Sequence, residues 1–163
     1  MKNSSVVKAA IACLLLGIWC TVSWADSNQI KLVAKSEKET VTIKDGKKEV
    51  KLVPAEKVLP GDVVVFTNHY KNTGGKPAED AVITNPISKH MTYIDGSAFG
   101  EGAIITFSFD KGKTFDTPGK LIKTEKGKKR TSRADEYTHV RWTFTAPLPP
   151  GKEGDVGFRA RLK

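Results

Sequence analysis

Three histidines, His69, His90 and His139, are the side chains best suited to hold a metal or move a proton near neutral pH. Met91 follows His90 and adds a thioether, so a periplasmic copper carrier built on His90, Met91 and a second histidine is one reading of this chain. Tight copper sites gather several imidazoles or thioethers at one place, and the spacing of these residues gathers none. The carboxylates are no better placed for catalysis. Glu79 with Asp80, and Asp135 with Glu136, are neighbours in the chain. Neighbours on a strand point apart, whereas acid–base pairs must converge. The chain has no Gly-x-Ser-x-Gly, no His-Glu-x-x-His and no phosphate-cradling glycine loop. No catalytic residue and no cofactor is expected. The remaining polar motif, Ser108-x-Asp110-x-Gly112-x-Thr114, has the chemistry of a turn: glycine permits a tight reversal, and short polar side chains satisfy the backbone donors inside it.

Charge carries more information. The chain has a formal net charge of +9. Residues 120–133, KLIKTEKGKKRTSR, hold seven basic residues against the single acid Glu125. Lys126, Lys128, Lys129, Arg130 and Arg133 are expected to form a flexible basic finger. Arg141, Arg159 and Arg161, outward on the last two strands, are expected to continue it. Charges within a Debye length of about 8 Å act together, so an anionic partner is attracted and salt releases it. Nucleic acid is the wrong anion for this patch, because no aromatic side chains interleave with the basic ones to stack on bases.

Residues 1–25 have the pattern of a secretory signal. Lys2 and Lys8 open it, Ala9–Ile18 is apolar, and Ser23-Trp24-Ala25 is a small-x-small cleavage site. The apolar run is shorter than the roughly 20 residues a spanning helix needs. Export is expected, to the periplasm or the cell surface, with no transmembrane segment in the mature chain. Cys13 and Cys20 both fall inside this leader, so residues 26–163 contain no thiol for a disulfide, a thiolate metal site or a nucleophile. A single domain of that length must then be held by its apolar core, and it is long enough to bury one.

The elements that would position these residues alternate with period two. Val64, Phe66 and Tyr70 fall on one side of a strand, opposite Val65, Thr67, His69 and Lys71, and the same count points Asn68 inward. Val156, Phe158, Ala160 and Leu162 share one side of the last strand, with Arg159 and Arg161 on the other. Residues 137–144 are expected to pair with that strand through a turn at Leu148-Pro149-Pro150-Gly151. Further strands are read at 30–34, 41–44, 48–53, 81–84, 91–94 and 104–109, with Asp45-Gly46 and Asn72-Thr73-Gly74-Gly75 as turns. Many short strands joined by Gly and Pro turns predict an all-β, antiparallel sandwich of about seven to nine strands.

The run from Val58 to Ala98 places Pro60-Gly61-Asp62, a strand, Asn72-Thr73-Gly74, a second strand, Asn85-Pro86, Thr92-Tyr93 and Gly96-Ser97-Ala98 in one order. In this it resembles the bacterial conserved-repeat family called domain of unknown function eleven, and the resemblance continues through SFDKGKTF, YTHVRWTF and the final LPPGKEGDVGFRARLK. It implies an immunoglobulin-like β-sandwich on or outside the cell envelope, with no activity attached to the family. SFDKGKTF also resembles the Asp-box, a folded hairpin turn of secreted proteins. Together these readings predict an exported, non-enzymatic structural or interaction module. Its expected partner is another envelope or surface protein, or an anionic glycan such as lipopolysaccharide.

Overall fold

A computed structural model describes residues 30–163. The leader read over residues 1–25, with both cysteines, lies outside the described residues. Eleven strands follow in chain order: β1 (Ile30–Lys44), β2 (Lys47–Pro54), β3 (Val63–Asn72), β4 (Val82–Pro86), β5 (Met91–Tyr93), β6 (Phe99–Gly100), β7 (Ala103–Ser108), β8 (Ile122–Glu125), β9 (Lys128–Thr131), β10 (His139–Phe144) and β11 (Glu153–Leu162). Among the described residues the only helical pieces are single 3₁₀ turns at Pro118–Lys120 and Ala134–Glu136, and no helix is long and apolar enough to cross a membrane. The expected all-β antiparallel sandwich is what forms. The strands beyond the seven to nine read from sequence are the two-residue β6 and the β8–β9 hairpin.

The larger sheet runs β2-β1-β3-β11-β5, with β6 also paired to β11, and the smaller runs β4-β10-β7. Their facing sides are the alternations seen in the sequence. Val64 and Tyr70 of β3, with Val156, Phe158 and Ala160 of β11, meet Ile83, Phe107, Val140, Trp142 and Phe144 of the smaller sheet, all buried. Trp142 and Phe158 are the two largest fully buried side chains and lie nearly parallel, 6.4 Å between centroids. The indole N–H of Trp142 donates to the Phe99 carbonyl at 2.8 Å, so its one polar atom is satisfied inside the core. Tyr70 meets Phe144 edge-on at 4.8 Å, and Phe107 stacks on Tyr137 at 4.6 Å while Tyr93 meets it at a tilt. Asn68 points inward, as counted, and is 9% exposed.

Two expectations about pairing are corrected. β10 does not pair with β11: it lies between β4 and β7 in the smaller sheet, while β11 lies between β3 and β5 in the larger. The connection at Leu148–Gly151 crosses between sheets instead of turning a hairpin. Its prolines offer no backbone donor to a ladder, and Leu148 is instead bonded to Ala78 through both backbone groups, at 2.9 and 3.0 Å. Secondly, the strands read at 30–34 and 41–44 are one. β1 runs unbroken for 15 residues, pairing with β3 over Ile30–Lys38 and with β2 over Glu37–Lys44, so its second half extends past β3. Asp45 and Gly46, at φ 51° and 73°, make the two-residue turn whose twist suits a hairpin.

Asn72 ties the crossing down. Fully buried at the end of β3, it donates through Nδ2 to the Lys76 carbonyl at 2.8 Å and the Leu148 carbonyl at 2.7 Å, and accepts from the Gly74 N–H through Oδ1 at 2.9 Å. One amide thus joins the turn after β3 to the link between the sheets. Asn72→Ala removes these three hydrogen bonds from a buried site, while the Leu148 carbonyl keeps the bond from the Ala78 N–H, and a loss of about 2–3 kcal/mol in unfolding free energy is expected by urea denaturation.

Candidate functional site

The basic segment is not a loose finger. Ile122–Glu125 and Lys128–Thr131 form an antiparallel hairpin in which Lys123 faces Arg130 and Glu125 faces Lys128. Lys126 and Gly127, at φ 50° and 76°, build the same two-residue turn as Asp45-Gly46. At the base of the hairpin the Ser132 N–H donates to the carbonyl of buried Leu121 at 2.7 Å.

Glu136, in the 3₁₀ turn that follows, locks the hairpin in place. Its Oε1 accepts from Arg130 Nη2 at 2.7 Å and Lys123 Nζ at 2.9 Å, and its Oε2 accepts from Arg130 Nη1 at 2.7 Å and the Arg133 N–H at 2.9 Å. Arg130 Nε donates in turn to Glu125 at 2.8 Å. A planar guanidinium spanning two carboxylates has little freedom left. The hydrogen bonds of Arg130, then those of the Arg133 backbone and Lys123, hold the Glu136 carboxyl well below the usual carboxylate range. Arg133 binds Asp135 through two bonds, at 3.0 and 3.2 Å. Asp135 and Glu136 therefore diverge, each to its own arginine.

The eight cationic residues picked out by sequence divide into separate places. Arg141 projects from the outer side of the smaller sheet, its guanidinium 3.5 Å from the centroid of the Phe115 ring, with Nε bonded to Thr84 Oγ1 at 3.2 Å. Arg159 projects from the outer side of the larger sheet and grips Glu39 with two bonds, at 2.6 and 2.8 Å. Arg161, beside it, donates to the Gly61 carbonyl at 2.7 Å. Because β10 and β11 belong to different sheets, Arg141 faces outward from one sheet and Arg159 with Arg161 from the other, so the three do not form the single row expected to continue the hairpin's charge. Arg130 and Arg133 are neutralised locally. The side chains of Lys126, Lys128 and Lys129 make no ion pair or hydrogen bond among the described residues. With Glu125 and Arg130 they line a shallow concavity at the hairpin tip.

Ser108, Asp110, Gly112 and Thr114 are brought together in one turn, closed by the bonded pair Phe107 and Asp116. Asp110 Oδ1 accepts from Ser108 Oγ at 2.7 Å, the Thr114 N–H at 3.0 Å and the Lys113 N–H at 3.1 Å, while Oδ2 accepts from Thr114 Oγ1 at 2.7 Å. Ser108 Oγ accepts from the Gly112 N–H at 2.9 Å. These donors, the Thr114 N–H foremost, hold the Asp110 carboxyl well below its ordinary value. Its acceptor capacity is spent within the loop. Gly112, at φ 81°, passes the His139 ring with room for a Cβ at 3.6 Å, so backbone conformation is what calls for glycine there.

The histidines stay apart. His69 faces outward on β3, its Nδ1 2.9 Å from Asp155 Oδ1. His90 is exposed before β5, and His139 lies outward on β10 against Thr138, where burial lowers its pKa. Met91 is 9% exposed and belongs to the core, on the opposite side of the chain from His90. Among the described residues no three His, Cys, Asp or Glu side chains are placed to hold a metal ion. Sequence reasoning missed the β8–β9 hairpin and its Glu136 clamp, because Lys126-Gly127 is not one of the usual two-residue hairpin dipeptides. It also missed the outer side of the larger sheet, where Val33, Leu52, Val65 and Phe99 line an open groove.

No protein-family model, no curated protein and no solved structure matches this chain.

Two expected outcomes follow from the carboxylates. Asp110→Ala removes the acceptor that organises the 108–116 turn and is expected to cost about 1–2 kcal/mol, read by thermal or urea unfolding. Glu136 binds its proton less tightly folded than unfolded, where a glutamate titrates near 4.3. Its stabilisation of the hairpin is therefore complete above about pH 5 and falls away as the pH drops below about 4. Amide exchange of residues 122–131 is expected to accelerate over that range, and Glu136→Gln to lose the protection at every pH.

Proposed function

We propose that this chain is an exported, non-catalytic interaction module of the bacterial cell envelope or surface, which docks an anionic glycan or lipopolysaccharide through the tip of the β8–β9 hairpin. The observation that carries the reading is the contrast within the hairpin: Arg130 and Arg133 are consumed by Glu125, Glu136 and Asp135, whereas the side chains of Lys126, Lys128 and Lys129 have no partner among the described residues. The arginines set the shape of the hairpin, and the lysines supply its outward charge. A hairpin held at its base presents that charge at fixed spacing, which lowers the ordering cost a flexible loop meets on binding. Ammonium groups act as mobile point charges toward phosphate or carboxylate and set no strict geometry. That suits a repetitive anionic surface better than one shaped ligand. The signal-like leader and the resemblance to surface-protein repeats support the envelope setting.

The test compares the purified protein with a Lys126→Glu, Lys128→Glu, Lys129→Glu variant on vesicles containing lipopolysaccharide and on a heparin matrix. Binding is expected to fall about tenfold or more in the variant, and to weaken with added salt in the wild type as screening shortens the reach of the charges. Arg141→Glu, on a separate face, is expected to bind as the wild type does. Equal retention of the triple variant and the wild type would remove the reading.

A further inference from the structure

β2 is the outermost strand of the larger sheet and is bonded to β1 alone. All eight of its residues are exposed. On its outer side Val50 lies opposite Val41, and Leu52 opposite Glu39, with Ile43 one step further toward the turn. Val41, Ile43, Val50 and Leu52 are 58%, 75%, 59% and 49% exposed. An edge of this length with apolar side chains is a template for another strand. The backbone of the hairpin is phased for it. The pair flanking a two-residue turn is hydrogen-bonded, and bonded positions then alternate along an antiparallel ladder. Lys47, Glu49, Lys51 and Val53 therefore turn their backbone groups toward β1, in agreement with the bond from the Ala55 N–H to the Ser36 carbonyl at 3.1 Å. Lys48, Val50 and Leu52 turn theirs to the free edge. Pro54 falls in the same phase, so its missing donor is on the side where no bond within the hairpin is lost.

We propose that this edge binds a second copy of the chain, β2 against β2, antiparallel, with Val50 facing Val50. Side-by-side antiparallel strands of identical chains are related by a two-fold normal to the sheet, which places one residue opposite itself. Few centres are possible, and charge separates them. Centred on Lys51, the pairing sets Lys51 against Lys51. Centred on Glu49, it sets Glu49 against Glu49 and Lys47 against Lys51. Centred on Leu52, it is shorter and draws Pro54 into the ladder. Centred on Val50, it pairs residues 47–53, opposes no like charges, and sets Glu49 against Lys51 twice. Lysines on an edge normally discourage pairing, but in this register they face Glu49, Leu52 and Val53. Cross-strand pairs of opposite charge and of β-branched side chains are the ones that stabilise a ladder. The outer side then carries a row of four valines, Val41, Val50 and their two counterparts. The two larger six-stranded sheets become one twelve-stranded sheet. This surface is separate from the lysine hairpin, and the inference holds whether or not that hairpin binds an anion.

Sedimentation velocity over a concentration series tests it. The wild type is expected to form a reversible dimer. Glu49→Lys alone and Lys51→Glu alone are each expected to weaken it about tenfold or more, and the double variant Glu49→Lys, Lys51→Glu to restore it within about threefold. Inside the hairpin these residues face Thr42 and Thr40, so neither reversal breaks an ion pair across that ladder. Val50→Pro deletes only an outward donor and is expected to be monomeric with an unchanged circular dichroism spectrum. A wild type that stays monomeric to roughly 1 mM overturns the proposal, as does a dimer indifferent to Val50→Pro. Loss of the dimer in Val50→Pro without sensitivity to the charge reversals overturns the register.

Discussion

The passage of the chain from β10 to β11 is the constraint on which most of this structure depends. A turn at Leu148–Gly151 would have left the last two strands side by side, with all their arginines in one row. The crossing separates them, so Trp142 of β10 and Phe158 of β11 become the two halves of a single core instead of neighbours on one face. Asn72 and Ala78 hold it in place: the backbone of Ala78 bonds Leu148 of the crossing through both groups, and the buried Asn72 amide bonds the same Leu148 carbonyl and the Lys76 carbonyl of the turn after β3. In a chain whose described part has no cysteine, nothing covalent substitutes for it.

What could be read from sequence is what period two determines. The inward residues Val64 to Tyr70 of β3, Asn68 included, and those of β11 were legible, because a side chain's face depends on its own strand, whereas buried Asn72 was read only as a turn residue. Strand partnership was not legible. It depends on which backbone groups a connection leaves unsatisfied, and a Pro-Pro-Gly segment looks alike whether it turns back or crosses over. The same gap explains the misplaced arginines: Arg141, Arg159 and Arg161 do face outward, but outward from two different sheets.

The site shows a second kind of limit. Counting charges along residues 120–133 finds the basic run but ends just short of Asp135 and Glu136, which lie beyond a turn and reach back into it. Four of the donors that Glu136 accepts come from Lys123, Arg130 and Arg133, so the cluster has a structural anion at its centre. Every arginine among the described residues has a fixed local partner: Arg130, Arg133 and Arg159 have carboxylates, Arg161 a carbonyl and Arg141 a ring. Guanidinium groups, planar and rich in donors, are drawn into such fixed contacts. The lysines divide by position: Lys123 at the base of the hairpin bonds Glu136, while the side chains of Lys126, Lys128 and Lys129 at its tip make no ion pair among the described residues.

The two hairpins that project from the sandwich differ in the same terms. Both turn on two residues with positive φ, Asp45-Gly46 and Lys126-Gly127. The second is fastened to the body by Glu136 and keeps only lysines for solvent. The first is fastened at its base by Lys38 to Asp62 and by Glu39 to Arg159, and Val41, Ile43 and Val50 of its distal half bury little against the fold. Covering an apolar side chain of this size is worth about 1.5–3 kcal/mol, and with Val41, Ile43 and Val50 58%, 75% and 59% exposed less than half of that is realised within one copy of the chain. The sandwich already has its core without β2. What the strand adds is an edge, phased and charged so that its own copy is the sequence it fits.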